Sequence, residues 1–162
     1  MKYVYWDFCC FLSYLEGDAR GEQLVGIAER AQLGELKIVT SALTLTEVLG
    51  KRNATPAARD RIRRGMSAEN GILFVDLTEN LAKKARDFIW DHDYRNHRAD
   101  AVHIATAFYF DQLKGIDEIH SFDHDLLKFG STLGIPIVEP SLDQYPELQK
   151  PLPFEAEPSI ER

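Results

Sequence analysis

A chain of 162 residues with 44% apolar side chains is long enough to bury one ordinary core, and nothing in its size calls for a second. Its formal charge of −7 argues against holding nucleic acid by overall electrostatics, so phosphate contact has to come from local clusters of Lys and Arg. The cysteines, Cys9 and Cys10, are adjacent and cannot staple separate elements, which fits a reducing, cytoplasmic setting and packing roles rather than a thiolate metal site.

The first strand is expected over residues 2–6, with Asp7 where it turns into a helix over 8–16. This apolar start superficially looks like a signal peptide, but Asp7 interrupts it and no small-residue cleavage site follows. Nowhere else does a run approach the ~20 apolar residues that cross a bilayer. A helix over 22–33, a strand over 37–40 and a helix over 44–51 come next, the last carrying Glu47. Thr55 and Pro56 are cap and first-turn signals for a helix over 56–68. A strand over 72–76 and a helix over 79–92, opened by Thr78, precede a largely apolar helix over 99–113 that should hold Asp100 at a solvent-facing start. Strands over 118–122 and 136–139 close the alternation, which reads as an α/β fold with a mainly parallel sheet. Residues 140–162 contain five prolines and several acids, and read as an extended tail, either wrapped on a domain of residues 1–139 or disordered.

Against this alternation, four carboxylates recur in apolar surroundings: Asp7 in YVYWDFCCFL, Glu47 in ALTLTEVLG, Asp100 in RADAVHIATA and Asp123 in IHSFDHDLL. Taken singly, each reads equally well as a functional acid and as a structural one, a helix cap or a charge that complements the helix dipole. Asp7 and Asp100 are harder to assign so, because an unpaired charge in apolar sequence is costly. Gathered together, the acids would repel and one would take up a proton unless a cation neutralised them. An all-carboxylate set suits hard Mg²⁺ or Mn²⁺. Asp125 can share this duty, whereas Asp76 reads as part of a plain helix entry. His103, one turn after Asp100, reads first as a core histidine with a satisfied hydrogen bond and second as a partner of a metal-bound carboxylate, and His120 and His124 read the same way. Lys51, Arg52, Arg59, Arg61, Arg63 and Arg64 form either a solvated helix face or a phosphate track, and Arg95, His97 and Arg98 lie just before Asp100.

In order and spacing these segments resemble the PIN-domain ribonucleases, most closely the VapC-like toxins of toxin–antitoxin pairs, over residues 1–139. The most specific stretch is Ala99-Asp100-Ala101 followed by His103-Ile104-Ala105-Thr106-Ala107, supported by the T-x-x-E at Glu47 and the S-F-D-x-D-L at Ser121 to Leu126. The resemblance implies a PIN-like three-layer α/β/α fold. It makes Asp7, Glu47, Asp100 and Asp123 the catalytic, metal-holding acids of an endoribonuclease, with Asp125 a further ligand and Ser121 at the family's small-hydroxyl position. RNA is the implied substrate, approached by Arg52, Arg95, Arg98 and Ser121, and a cognate antitoxin and a homodimer are the implied partners. The first motif departs from the family's pattern: Phe8-Cys9-Cys10 stand where a small hydroxyl or amide residue usually follows the Asp. An inactive PIN-like module that binds RNA or protein is the alternative, and a metal-dependent phosphatase or DNase a third reading.

Overall fold

The computed structural model describes residues 1–148. Its five strands are β1 (Lys2–Trp6), β2 (Leu36–Ser41), β3 (Ile72–Val75), β4 (Glu118–His120) and β5 (Ile137–Val138), all parallel and ordered β3-β2-β1-β4-β5. Parallel neighbours require crossovers, and helices supply each one. After β1 come α1 (Phe8–Glu16), α2 (Ala19–Glu22) and α3 (Val25–Gln32). After β2 come α4 (Thr44–Glu47) and α5 (Pro56–Gly65), then α6 (Glu79–His92) and α7 (Arg98–Lys114) after β3, and α8 (His124–Leu127) after β4.

Side chains alternate across the sheet, as a strand's two-residue period demands. Val4, Trp6 and Ile38 pack with Phe11, Leu24 and Ile27 in one buried layer. Tyr5, Val39 and Ile119 face the other way, against Ile104, Ala107 and Leu126. Both faces of the sheet are therefore covered, which is why its strands read as near-continuous apolar runs.

Several boundaries differ from expectation, each for a local reason. The helix expected over 22–33 is split into α2 and α3, and α2 lies so close to α1 that a side chain at Gly21 would run into the Ser13 backbone. The helix expected over 44–51 stops at Glu47, where Val48 leaves helical geometry and Gly50 follows at φ 73°. The fourth strand ends at His120 rather than 122, and the Ser121 hydroxyl, accepting from the Asp123 N–H, turns the chain into α8. Among the described residues no helix is long and apolar enough to cross a membrane.

The beginning of the tail lies on the domain. Arg30 donates to the Pro146 carbonyl at 2.7 Å, the Leu148 N–H to Glu29 at 2.7 Å and the Leu142 N–H to Gln23 at 3.1 Å. Tyr145 is buried beside α3 over Gly26, where any Cβ would overlap the Tyr145 and Pro146 carbonyls. Residues 149–162 of the expected tail lie outside the described residues.

Strand order also locates the place where a site can form. From β1 the chain steps outward through β2 and β3, then returns to β1's other side as β4. The crevice beyond the carboxyl ends of β1 and β4 is thus a topological switch point, the usual binding position in open parallel sheets.

Candidate active site

Trp6 pairs with His120 across β1 and β4, so the next residues, Asp7 and Ser121, leave the sheet side by side at the switch point. Ser121 Oγ donates to Asp7 Oδ2 at 2.5 Å and accepts from the Asp123 N–H at 3.0 Å. Asp7 Oδ1 accepts from the Cys10 N–H at 3.1 Å and caps α1. Cap and site acid are therefore one residue. Burial pushes the Asp7 carboxyl above the usual range, and the Ser121 hydrogen bond opposes that shift.

Asp100 sits in the first turn of α7, yet it is only 7% exposed, so the expected solvent-facing start is a buried one. The helix is packed against α6 and the sheet, and it carries the acid inward with it. Burial first, and then the charge of Asp123, raises the Asp100 carboxyl to about 6. Asp123 caps α8 by accepting from the Asp125 N–H at 2.8 Å. Asp125 Oδ2 lies 3.5 Å from His97 Nε2, and His97 Nδ1 lies 3.4 Å from Asp100 Oδ2. The Tyr94 ring stacks on His97 with centroids 4.5 Å apart, and its hydroxyl donates to the Asp125 carbonyl at 3.0 Å.

Glu47, the last residue of α4, places Oε2 2.8 Å from His103 Nε2. The other ring nitrogen of His103 lies 2.8 Å from the Tyr5 hydroxyl. His103 is thus both a core histidine and a carboxylate partner. Burial raises the Cys9 thiol to about 12, and the charges of Asp7, Asp123, Asp100 and Glu47 push it the same way. That environment keeps the thiol protonated and makes it a poor nucleophile.

The fold therefore links Asp7 to Asp123 through Ser121 and Asp100 to Asp125 through His97, while Glu47 contacts His103, one turn along α7 from Asp100. Among the described residues no three His, Cys, Asp or Glu side chains stand as a tight metal-holding group. Most of the acids spend an oxygen on a protein partner instead: Asp7 on Ser121, Glu47 on His103, and Asp123 on the α8 backbone.

Arg52, Arg95 and Arg98 are all exposed. Arg95 Nε is 3.9 Å from Asp93, and Arg52 lines an open groove with Leu45, Leu49, Arg59 and Arg63. The ties made by Tyr94 and Tyr5 were not expected from sequence. The available signal was spacing: His97 and His103 lie three residues either side of Asp100, where a helix brings side chains to one face.

A model of the PIN domain family matches residues 4–131 of this chain. The crystal structure of Mycobacterium tuberculosis VapC20, a sarcin-ricin loop cleaving toxin, is similar with a TM-score of 0.57 and 25% sequence identity, covering 85% of this chain and 99% of that one. No curated protein matches the chain by sequence.

Proposed function

The chain belongs to the PIN domain family, and from that premise we propose that it is a metal-dependent endoribonuclease acting as the toxin of a toxin–antitoxin pair. One observation carries the reading: beyond the carboxyl ends of β1 and β4, Asp7 accepts from the Ser121 hydroxyl, which in turn accepts from the Asp123 N–H, and buried Asp100 at the start of α7 feels the charge of both acids. RNA as substrate rests on the likeness to VapC20, a toxin that cleaves the sarcin-ricin loop.

The donor set fits Mg²⁺ or Mn²⁺. Asp7, Glu47, Asp100 and Asp123, with Asp125 beside them, offer oxygen only, and Asp7 and Asp100 are carboxylates whose charge is disfavoured by burial. A divalent cation supplies an activated water and stabilises charge on the phosphate when bound. The protein's own contribution is placement. Ser121 fixes the Asp7 rotamer, the start of α7 presents Asp100, and the α8 cap orients Asp123. Arg52, Arg95 and Arg98, projecting into solvent, draw the phosphate backbone toward a pocket that would otherwise repel it. A small antitoxin placing a basic or aromatic side chain in the pocket would switch the enzyme off, and a cytoplasmic homodimer is the form proposed for it.

Incubation of the purified protein with a mixed structured RNA pool in Mg²⁺ or Mn²⁺ tests the reading. Cutting is expected, with its loss in EDTA and a drop of at least ~10³-fold in Asp100→Asn. A folded wild type that cuts nothing in either metal would instead support the binding-module alternative.

A further inference from the structure

His103 is 1% exposed, so both ring nitrogens must find partners inside the protein. Nδ1 has the Tyr5 hydroxyl and Nε2 has Glu47 Oε2, each at 2.8 Å. The Tyr5 oxygen accepts from the Ser41 N–H at 3.1 Å and has one proton left to donate. The hydrogen-bond network thus assigns that proton to Nδ1, leaving the ring hydrogen on Nε2, where it is donated to the carboxylate.

We propose that Tyr5 and His103 are positioning residues for Glu47: a chain of hydrogen bonds running from the Ser41 backbone through both side chains fixes the Glu47 carboxylate at the acidic pocket. The inference rests on the nuclease reading and deepens it. Glu47 needs such a tether because α4 is four residues long, has no side-chain cap and ends at Glu47 itself. Thr44 and Val48 anchor the turn in the core, but Leu45, Thr46 and Leu49 are exposed, so packing does not fix the Glu47 side chain itself. Tyr5, by contrast, is fully buried in the central strand, and His103 lies in the buried helix that also carries Asp100. The chain therefore ties an acid at the end of a short turn to a central strand and a buried helix. An N–H donor at Nε2 fixes one carboxylate oxygen, and among the described residues Glu47 Oε1 has no hydrogen-bond partner. That oxygen is the one left for a cation or an attacking water. Partners of ligating groups typically set affinity and activity in this way.

The full-length protein is compared with His103→Leu, His103→Gln, Tyr5→Phe, Glu47→Gln and the double variant His103→Leu/Glu47→Gln. Mn²⁺ affinity is measured by calorimetric titration, alongside kcat and KM on RNA. His103→Leu is expected to weaken Mn²⁺ binding and lower kcat by about 10–100-fold with KM little changed. Tyr5→Phe, nearly the same shape, should show the same pattern more mildly, and His103→Gln should recover much of the loss because its amide can donate toward Glu47. In the Glu47→Gln background, His103→Leu should cost nothing further. Additive losses in the double variant, or wild-type affinity and kcat in both folded Tyr5→Phe and His103→Leu, would overturn the inference. A wild type that binds Mn²⁺ without cutting RNA would sink the nuclease reading while the affinity series still decides the tether. Failure of the wild type on both counts would overturn the two together.

Discussion

Two of the acids proposed for the site, Asp7 and Asp100, are buried where their charge is disfavoured. Asp100 is buried next to Asp123 and Asp7, and its carboxyl is raised to about 6 by burial and their charge. A raised carboxyl binds its proton more tightly folded than unfolded, so its contribution to stability falls as pH rises from about 4 through about 6. At neutral pH the ionised form is a net cost. Asp100→Asn keeps the shape and removes the charge, and should raise the melting temperature of the metal-free protein by roughly 3 °C near pH 7, with the gain vanishing near pH 4. Scanning calorimetry at the two pH values checks this. A destabilised variant would mean that the His97 contact outweighs burial and repulsion. Asp7 follows the same logic more weakly, because Ser121 and the Cys10 N–H compensate it.

At the level of elements, the parts legible in the sequence were those with a local cause. Thr78 accepts from the Leu81 N–H at 3.2 Å and Thr55 from the Ala58 N–H at 3.2 Å, as their cap signals require. Thr78→Ala should therefore cost about 1 kcal/mol of stability, read from urea unfolding, with RNA cleavage unaffected since α6 holds none of the acids. A loss well below 0.5 kcal/mol would show that α6 is held by packing on α7 alone. The acids themselves were legible for a related reason: strand ends and helix starts are short patterns. Illegible were features set by distant pairings. The length of α4 is decided by Gly50's left-handed turn and by what Glu47 reaches across the pocket, neither of which a hydrophobic period records. The role of His103 depends on Tyr5, 98 positions away, and the His97 bridge depends on α8, an element with too few residues to leave a pattern.

Across the whole molecule, the described part of the segment after β5 lies on the domain, one of the two arrangements its proline-rich composition left open. Its anchor on β4 is Glu118, whose carboxylate accepts from His120 Nε2 at 3.0 Å, Gln144 Nε2 at 2.7 Å and the Tyr145 hydroxyl at 3.2 Å. Trp6 Nε1 occupies the other ring nitrogen of His120 at 3.2 Å, so the hydrogen belongs on Nε2 and points at Glu118. The His120 hydrogen bond, ahead of the others, holds the Glu118 carboxyl down at about 2. A depressed carboxyl stabilises the fold fully above its unfolded value, about 4.3, and loses that contribution as pH falls toward about 2. Acid should therefore loosen the strap from β4 before the sheet itself opens. The second anchor is steric, since only glycine at position 26 admits the Tyr145 and Pro146 carbonyls against α3. Gly26→Ala should displace the strap at neutral pH, cost about 1–3 kcal/mol and expose residues 140–148 to proteolysis. Limited proteolysis followed by mass spectrometry gives the readout. In wild type, cleavage in this segment should grow as pH drops from 4.5 toward 2, using an acid-active protease. In Gly26→Ala it should already be fast at neutral pH. Equal resistance in the two proteins would mean that the hydrogen bonds to Arg30, Gln23 and Glu29 hold the strap without the close approach at Gly26.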